Sequence, residues 1–128
     1  AHERTRAAAA GGRRCLHPSV HTFTPRLGDE LRDYDLAVLY DPRRAAERKL
    51  AALLTEHWRA QGWTARRNAP YRGVADGHTT AMRRLLPNAS YAGLEIEVNQ
   101  RRLDDWPRVV AAVLSGLQIA LEKQKARL

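Results

Sequence analysis

Cysteine is nearly absent from this sequence: Cys15 is the only one in 128 residues. That excludes an intrachain disulfide and a cysteine-built zinc cage, so a metal would have to be held by His, Asp or Glu. Long apolar runs are missing too. No stretch approaches the roughly 20 residues that span a bilayer, and nothing near the start joins an apolar centre to a small-residue cleavage site. No membrane partner is expected, and the expected location is cytoplasmic. Lysine is scarce, with only Lys49, Lys123 and Lys125. The net charge of +8 and pI of about 10.5 therefore come from arginine. Sustained basic runs are the footprint of phosphate binding. Here the arginines come as scattered pairs (Arg13-Arg14, Arg43-Arg44, Arg66-Arg67, Arg83-Arg84, Arg101-Arg102) in an Ala-rich chain, the pattern of GC-rich coding. No specific nucleic-acid partner is expected, and a basic nucleic-acid-binding domain stands only as an alternative.

What is present is one domain's worth of chain, 44% hydrophobic and 28% charged. Residues 1–10 read as the last turns of a helix stopped by Gly11-Gly12, so 1–13 is taken as the remnant of a preceding helix and linker. A first strand is expected over 14–22, with Pro18 confining it to an edge or interrupting it. It runs into Ser19-Val20-His21-Thr22-Phe23-Thr24-Pro25, which sets an imidazole at a strand end, held rigidly yet able to face a cleft. A polar loop over 26–33 leads to a short buried strand at 34–40. Asp41-Pro42 opens a helix that ends near Gln61-Gly62. Its packing stripe is Ala46, Leu50, Leu53, Leu54 and Trp58, with Arg44, Glu47, Arg48 and Glu56 largely elsewhere. A third strand at 63–67, a Pro/Gly-fixed loop at 68–73, and a short helix at about 79–86 after Asp76-Gly77 follow.

The strand expected at 91–99 carries the second chemical signal. A period of two puts Ala92, Leu94, Ile96 and Val98 on one face and Tyr91, Gly93, Glu95, Glu97 and Asn99 on the other. Two carboxylates on one such face are costly to bury unless paired, metal-bound or open to a cleft. The plain alternative is a face that meets solvent or an arginine. A long amphipathic helix over about 104–127 closes the chain. Strands alternating with helices point to a three-layer α/β domain whose sheet is largely parallel or mixed, and such sheets collect reactive groups at strand carboxyl ends. His21 and Glu97 both lie near such ends. A histidine ligand beside a carboxylate base is the core of a zinc hydrolase, although a catalytic zinc takes three protein ligands and only one convincing candidate is seen.

Four stretches, SVHTFTP (19–25), LYDPRR (39–44), RRNAPYRGVADGHTT (66–80) and YAGLEIEVNQ (91–100), together resemble the N-formylglutamate amidohydrolase family. The resemblance runs from about Leu16 to the final helix. It implies a fold similar to zinc-dependent exopeptidases and hydrolysis of N-formyl-L-glutamate to formate and L-glutamate in histidine catabolism. It further implies zinc as cofactor, His21 as a zinc ligand and Glu97 as general base and acid, with Glu95 its rival. Asn68, Tyr71 and Arg72 would line the substrate side, Arg72 as a carboxylate clamp for a small N-acyl amino acid.

Members of that family carry an upstream half with a His/Glu motif and an Asn-Arg element, neither of which occurs here, and Pro18 replaces a usual apolar strand residue. The sequence therefore reads as the C-terminal part of an incomplete zinc-exopeptidase-like domain, its remaining ligands supplied from a missing N-terminal half. As a fragment it would bind zinc weakly and be inactive alone. A non-catalytic remnant, or a subunit completed by a partner, is the alternative in another class.

Overall fold

The computed structural model describes residues 14–71, 73–74 and 77–125. The expected helix remnant before Gly12 and the helix end near Arg127 lie outside these residues, as does Arg72. Strand β1 is Cys15–Phe23, followed by the two-residue strands β2 (Arg26–Leu27) and β3 (Glu30–Leu31), then β4 (Leu36–Leu39). Helix α1 is Ala45–Ala60, β5 is Ala65–Arg67, α2 is Gly77–Leu85 and β6 is Tyr91–Asn99. A 3-10 turn over Gln100–Asp105 enters α3, Trp106–Lys125.

The main sheet has the order β1-β6-β4-β5. β1 runs parallel to β6 and β4 parallel to β5, whereas β4 and β6 are antiparallel, so the sheet is mixed. β1 stands at the edge with β6 as its neighbour, which accounts for Pro18: an edge strand has one side on which a missing donor costs nothing.

The apolar row of β6 (Ala92, Leu94, Ile96, Val98) joins Leu36 and Val38 of β4 in the core. Against it pack Leu50, Leu54 and Trp58 of α1 and Val109, Ala112 and Val113 of α3. Each such side chain, once buried, contributes about 1.5–3 kcal/mol. The two helices approach closely because α3 has Gly116 where a Cβ would come within 2.9 Å of Leu54 and 3.0 Å of the Trp58 ring. The Trp58 indole N–H donates to the Ala112 carbonyl at 2.9 Å, so the largest core residue buries no unmet donor. Helix α2 lies on the opposite face, where the Thr79 hydroxyl donates to Glu95 at 3.2 Å and the His78 ring meets that of His17 edge-on at 5.0 Å.

Several expectations need correction. The loop at 26–33 is a small hairpin, with Arg26 opposite Leu31 and Leu27 opposite Glu30. Asp41 does not cap α1. Its carboxylate accepts from the Arg43 amide and its carbonyl from the Arg44 amide, forming a turn that delays the helix to Ala45. Asp104 and Asp105 belong to the 3-10 turn and precede the last helix. Glu47, expected away from the packing stripe, is wholly buried.

That burial has a purpose visible in the sheet. Continuing the antiparallel register of β4 and β6 beyond Leu39 and Glu95 would put Asp41 opposite Gly93. The two strands part there, and Glu47 fills the gap: one oxygen accepts from the Asp41 amide at 2.9 Å, the other from the Gly93 amide at 3.1 Å. Arg83 of α2 completes the wedge, donating to Glu47 at 2.8 Å and to the Gly93 carbonyl at 3.0 Å. A buried ion pair thus stands in for a missing rung, its remaining hydrogen-bonding capacity spent on backbone groups.

Candidate active site

The register of β1 on β6 sets Ser19 beside Glu95, His21 beside Glu97 and Phe23 beside Asn99. These residues share the face turned away from the apolar core, and adjacent strands lie only about 4.8 Å apart. His21 is exposed, whereas Glu95 and Glu97 are 3% and 4% exposed. The carboxylates therefore do not meet bulk solvent, which removes the solvent half of the plain alternative considered for this strand. Glu95 is engaged by Thr79 of α2, whose hydroxyl also accepts from Arg83 at 3.4 Å. Glu97 lies one step nearer the carboxyl end of the strand, between His21 of β1 and Ala37 of β4.

The loop over 68–73 folds across this face. Ala69 packs on Phe23, Tyr34 and Ala37, the small apolar cluster beside Glu97. Asn68 anchors the loop in the left-handed region (φ 51°), which Asn tolerates better than most residues. Its side-chain oxygen accepts from the Tyr40 amide at 3.0 Å and the Gly73 amide at 3.1 Å, pinning both loop ends to the end of β4. Gly73 is required there, since a Cβ would collide with the backbone of Tyr40. Asn68 thus has its oxygen committed to the loop, and Tyr71 projects half-exposed from it.

At the carboxyl end of the β1–β6 pair the Asn99 amide donates to the carbonyls of Arg32 and Tyr34, both at 2.9 Å. This bond holds the segment between the hairpin and β4 against the site. Arg32 gave no signal in the sequence, where it fell in a polar loop. Its side chain is 3% exposed, and its guanidinium carbon lies 5.5 Å from the centre of the Tyr71 ring. Burial pulls its pKa down, but the contacts with Tyr71 and Glu30 outweigh that and leave it above the ordinary arginine value. A cavity of about 510 Å³ is lined by Asp41, Arg44, Thr80, Arg83 and Arg84 among others, and neither Glu97 nor His21 lines it.

Among the described residues no group of three or more His, Cys, Asp and Glu side chains converges as a metal site would require. His21 and the two carboxylates fit a share of such a site, not the full donor set. Nor is any helix of the described residues long and apolar enough to cross a membrane.

A mixed sheet flanked by helices, with an imidazole and two buried carboxylates on its polar face, defines an α/β domain. The chain belongs to the N-formylglutamate amidohydrolase family, whose sequence profile matches residues 1–103. No curated protein matches it significantly. Among solved structures it is similar to a gene product of Agrobacterium tumefaciens, at 22% identity and TM-score 0.69, over 95% of this chain and 49% of that one. It is also similar to N-formylglutamate amidohydrolase from Ralstonia eutropha, at 18% identity and TM-score 0.66, over 90% of this chain and 46% of that one. The likeness establishes the fold, and the chain spans about half the length of these structures.

Proposed function

We propose that these residues form one wall of an amidohydrolase site that converts N-formyl-L-glutamate and water to formate and L-glutamate. The observation that carries the reading is the pairing of His21 with buried Glu97 on one sheet face, inside a chain of this family. Glu97 acts as general base and acid: its carboxylate takes a proton from the attacking water and returns it to the leaving amine nitrogen. Glu95, which accepts from the Thr79 hydroxyl, is its rival on the same face. His21 contributes one ligand to a zinc ion, the rest of the donor set lying outside the described residues. When bound, zinc polarises the amide carbonyl and acidifies water. The 68–73 loop closes the substrate side, Asn68 by fixing its path and Tyr71 by contact; the carboxylate-clamp role of Arg72 stays an expectation from the family resemblance, since that residue lies outside the described ones.

The test is formate release from N-formyl-L-glutamate by the longest form of the protein that carries this sequence, supplemented with zinc. Glu97→Gln should lower kcat by about 10²–10⁴-fold in a protein whose circular dichroism spectrum remains that of the folded wild type. His21→Ala should lower zinc retention after dialysis. Activity kept within threefold in Glu97→Gln would sink the assignment of the base.

A further inference from the structure

We propose that Arg32 is the carboxylate-recognising residue of this site, reading an anionic group of the N-acyl amino acid from the carboxyl end of the β1–β6 pair. The proposal rests on the amidohydrolase reading above and adds to it the group that selects an acidic substrate.

Three features of Arg32 separate it from a structural arginine. Its contacts with acceptors are long: 3.4 Å and 3.5 Å to the carbonyl and hydroxyl oxygens of Thr24, and 3.6 Å to Glu30. Arg83, also buried, donates to Glu47 at 2.8 Å and to the carbonyls of Gly73 and Gly93, both at 3.0 Å. Second, the buried Nε of Arg32 has no hydrogen-bond partner among the described residues. A guanidinium presents five donors in a planar fork that matches a carboxylate, and this one is held by long contacts and by the half-exposed Tyr71 side chain, partners that an anion could replace. Third, its counter-ion Glu30 is 58% exposed and belongs to the hairpin, so the pair is not locked from both sides.

Position supplies the remaining argument. Asn99 holds the Arg32 backbone, and Thr24, which the guanidinium approaches, directly follows β1. Asn99 lies two residues beyond Glu97, a rise of about 7 Å along a strand. That spacing suits a molecule whose scissile amide sits by Glu97 while its carboxylate reaches the strand end. The Tyr71 ring lies 5.5 Å from the guanidinium and is itself 47% exposed. An anion displacing or sliding beneath that ring would meet the guanidinium fork.

The test compares N-formyl-L-glutamate with its two mono-amides, N-formyl-L-glutamine and the α-amide, in the zinc-supplemented protein. Wild type should discriminate against the amide that removes the carboxylate read by Arg32. Arg32→Gln should raise KM for the diacid by about 10- to 150-fold, the worth of hydrogen bonds to a charged group, and abolish that discrimination with little change in kcat. Arg32→Lys should recover part of it. A folded Arg32→Gln that keeps the wild-type ratio of diacid to amides overturns the proposal. So does a wild type that treats all three compounds alike, a result that stands even if Arg32→Gln fails to fold. Should wild type hydrolyse none of the compounds, the amidohydrolase reading fails separately. Calorimetric titration with N-formyl-L-glutamate then decides Arg32: binding by wild type that is lost in Arg32→Gln and partly kept in Arg32→Lys sustains the anion site, and equal or absent binding overturns it.

Discussion

On β6, Ala92, Leu94, Ile96 and Val98 turn toward α1 and α3, while Glu95, Glu97 and Asn99 share the other face, where Thr79 of α2 meets Glu95 and the segment before β4 meets Asn99, and both rows are buried. The two sides differ in what repays the burial. The apolar row is repaid by contact with Leu50, Leu54, Trp58 and Val109, and any well-shaped hydrophobic residue would serve. The polar row is repaid by directed bonds: Thr79 to Glu95, Asn99 to the carbonyls of Arg32 and Tyr34. Directed bonds restrict where the groups point, which is what a site needs. The apolar side sets the stability of the fold, and the polar side sets its geometry.

The division fails at one place, where Glu47 of α1, on the apolar side, meets Arg83 of α2, on the polar side, and the pair replaces a rung of the sheet. Glu47→Gln should therefore be the most damaging substitution for stability. It leaves the Arg83 guanidinium buried without its counter-ion, a loss of about 3–5 kcal/mol, against a typical domain total of about 5–15 kcal/mol. Denaturant titration measures it, and a loss below 1 kcal/mol would show that the wedge is solvated and not structural. Next comes Ile96→Ala on the apolar row, at about 2–5 kcal/mol. In Ile96→Ala the substrate KM should follow wild type at temperatures where the variant remains folded. A KM change there as large as that from Arg32→Gln would mean that the two faces are not separable.

The same contrast explains what could be read in advance. The alternation over 91–99 gave both faces of β6 and its ends, because period two survives any tertiary context. The pairing of His21 with Glu97 needed the parallel register of β1 on β6, which no local pattern specifies. A signal for Glu47 did exist. It stands three, seven and eleven residues before Leu50, Leu54 and Trp58, on the buried face, and its charge masked the spacing. For Arg32 there was none, since its burial depends on Asn99 and Tyr71, which are distant in sequence.

A smaller effect tests whether the polar side includes its loop. Asn68→Ala removes an acceptor shared by two backbone amides and leaves a left-handed backbone that alanine disfavours, costing about 1–3 kcal/mol. If the loop only covers the site, KM should rise while kcat is retained, as substrate kinetics would show. Equal losses in both would put Asn68 in the chemistry.

The smallest effect is one of slope. Asp35, at the head of β4, is buried, which alone would raise its pKa. Hydrogen bonds from Arg102 and from the amide and hydroxyl of Thr64 more than reverse this, holding it below the usual carboxylate value. The Asp41 carboxylate is lowered in the same way by Arg43. A carboxylate with a depressed folded pKa stabilises the protein fully above its unfolded value, and that contribution disappears as pH falls through the folded one. Stability measured by denaturant should thus decline from about pH 5 downward, and Asp35→Asn should flatten the decline while lowering the plateau at neutral pH. Ile96→Ala should instead shift the whole curve down by a constant amount, because burial of a hydrocarbon has no proton to exchange. Parallel curves for wild type and Asp35→Asn would place the acid sensitivity in other carboxylates, and would remove the clearest thermodynamic distinction between the two faces of the sheet.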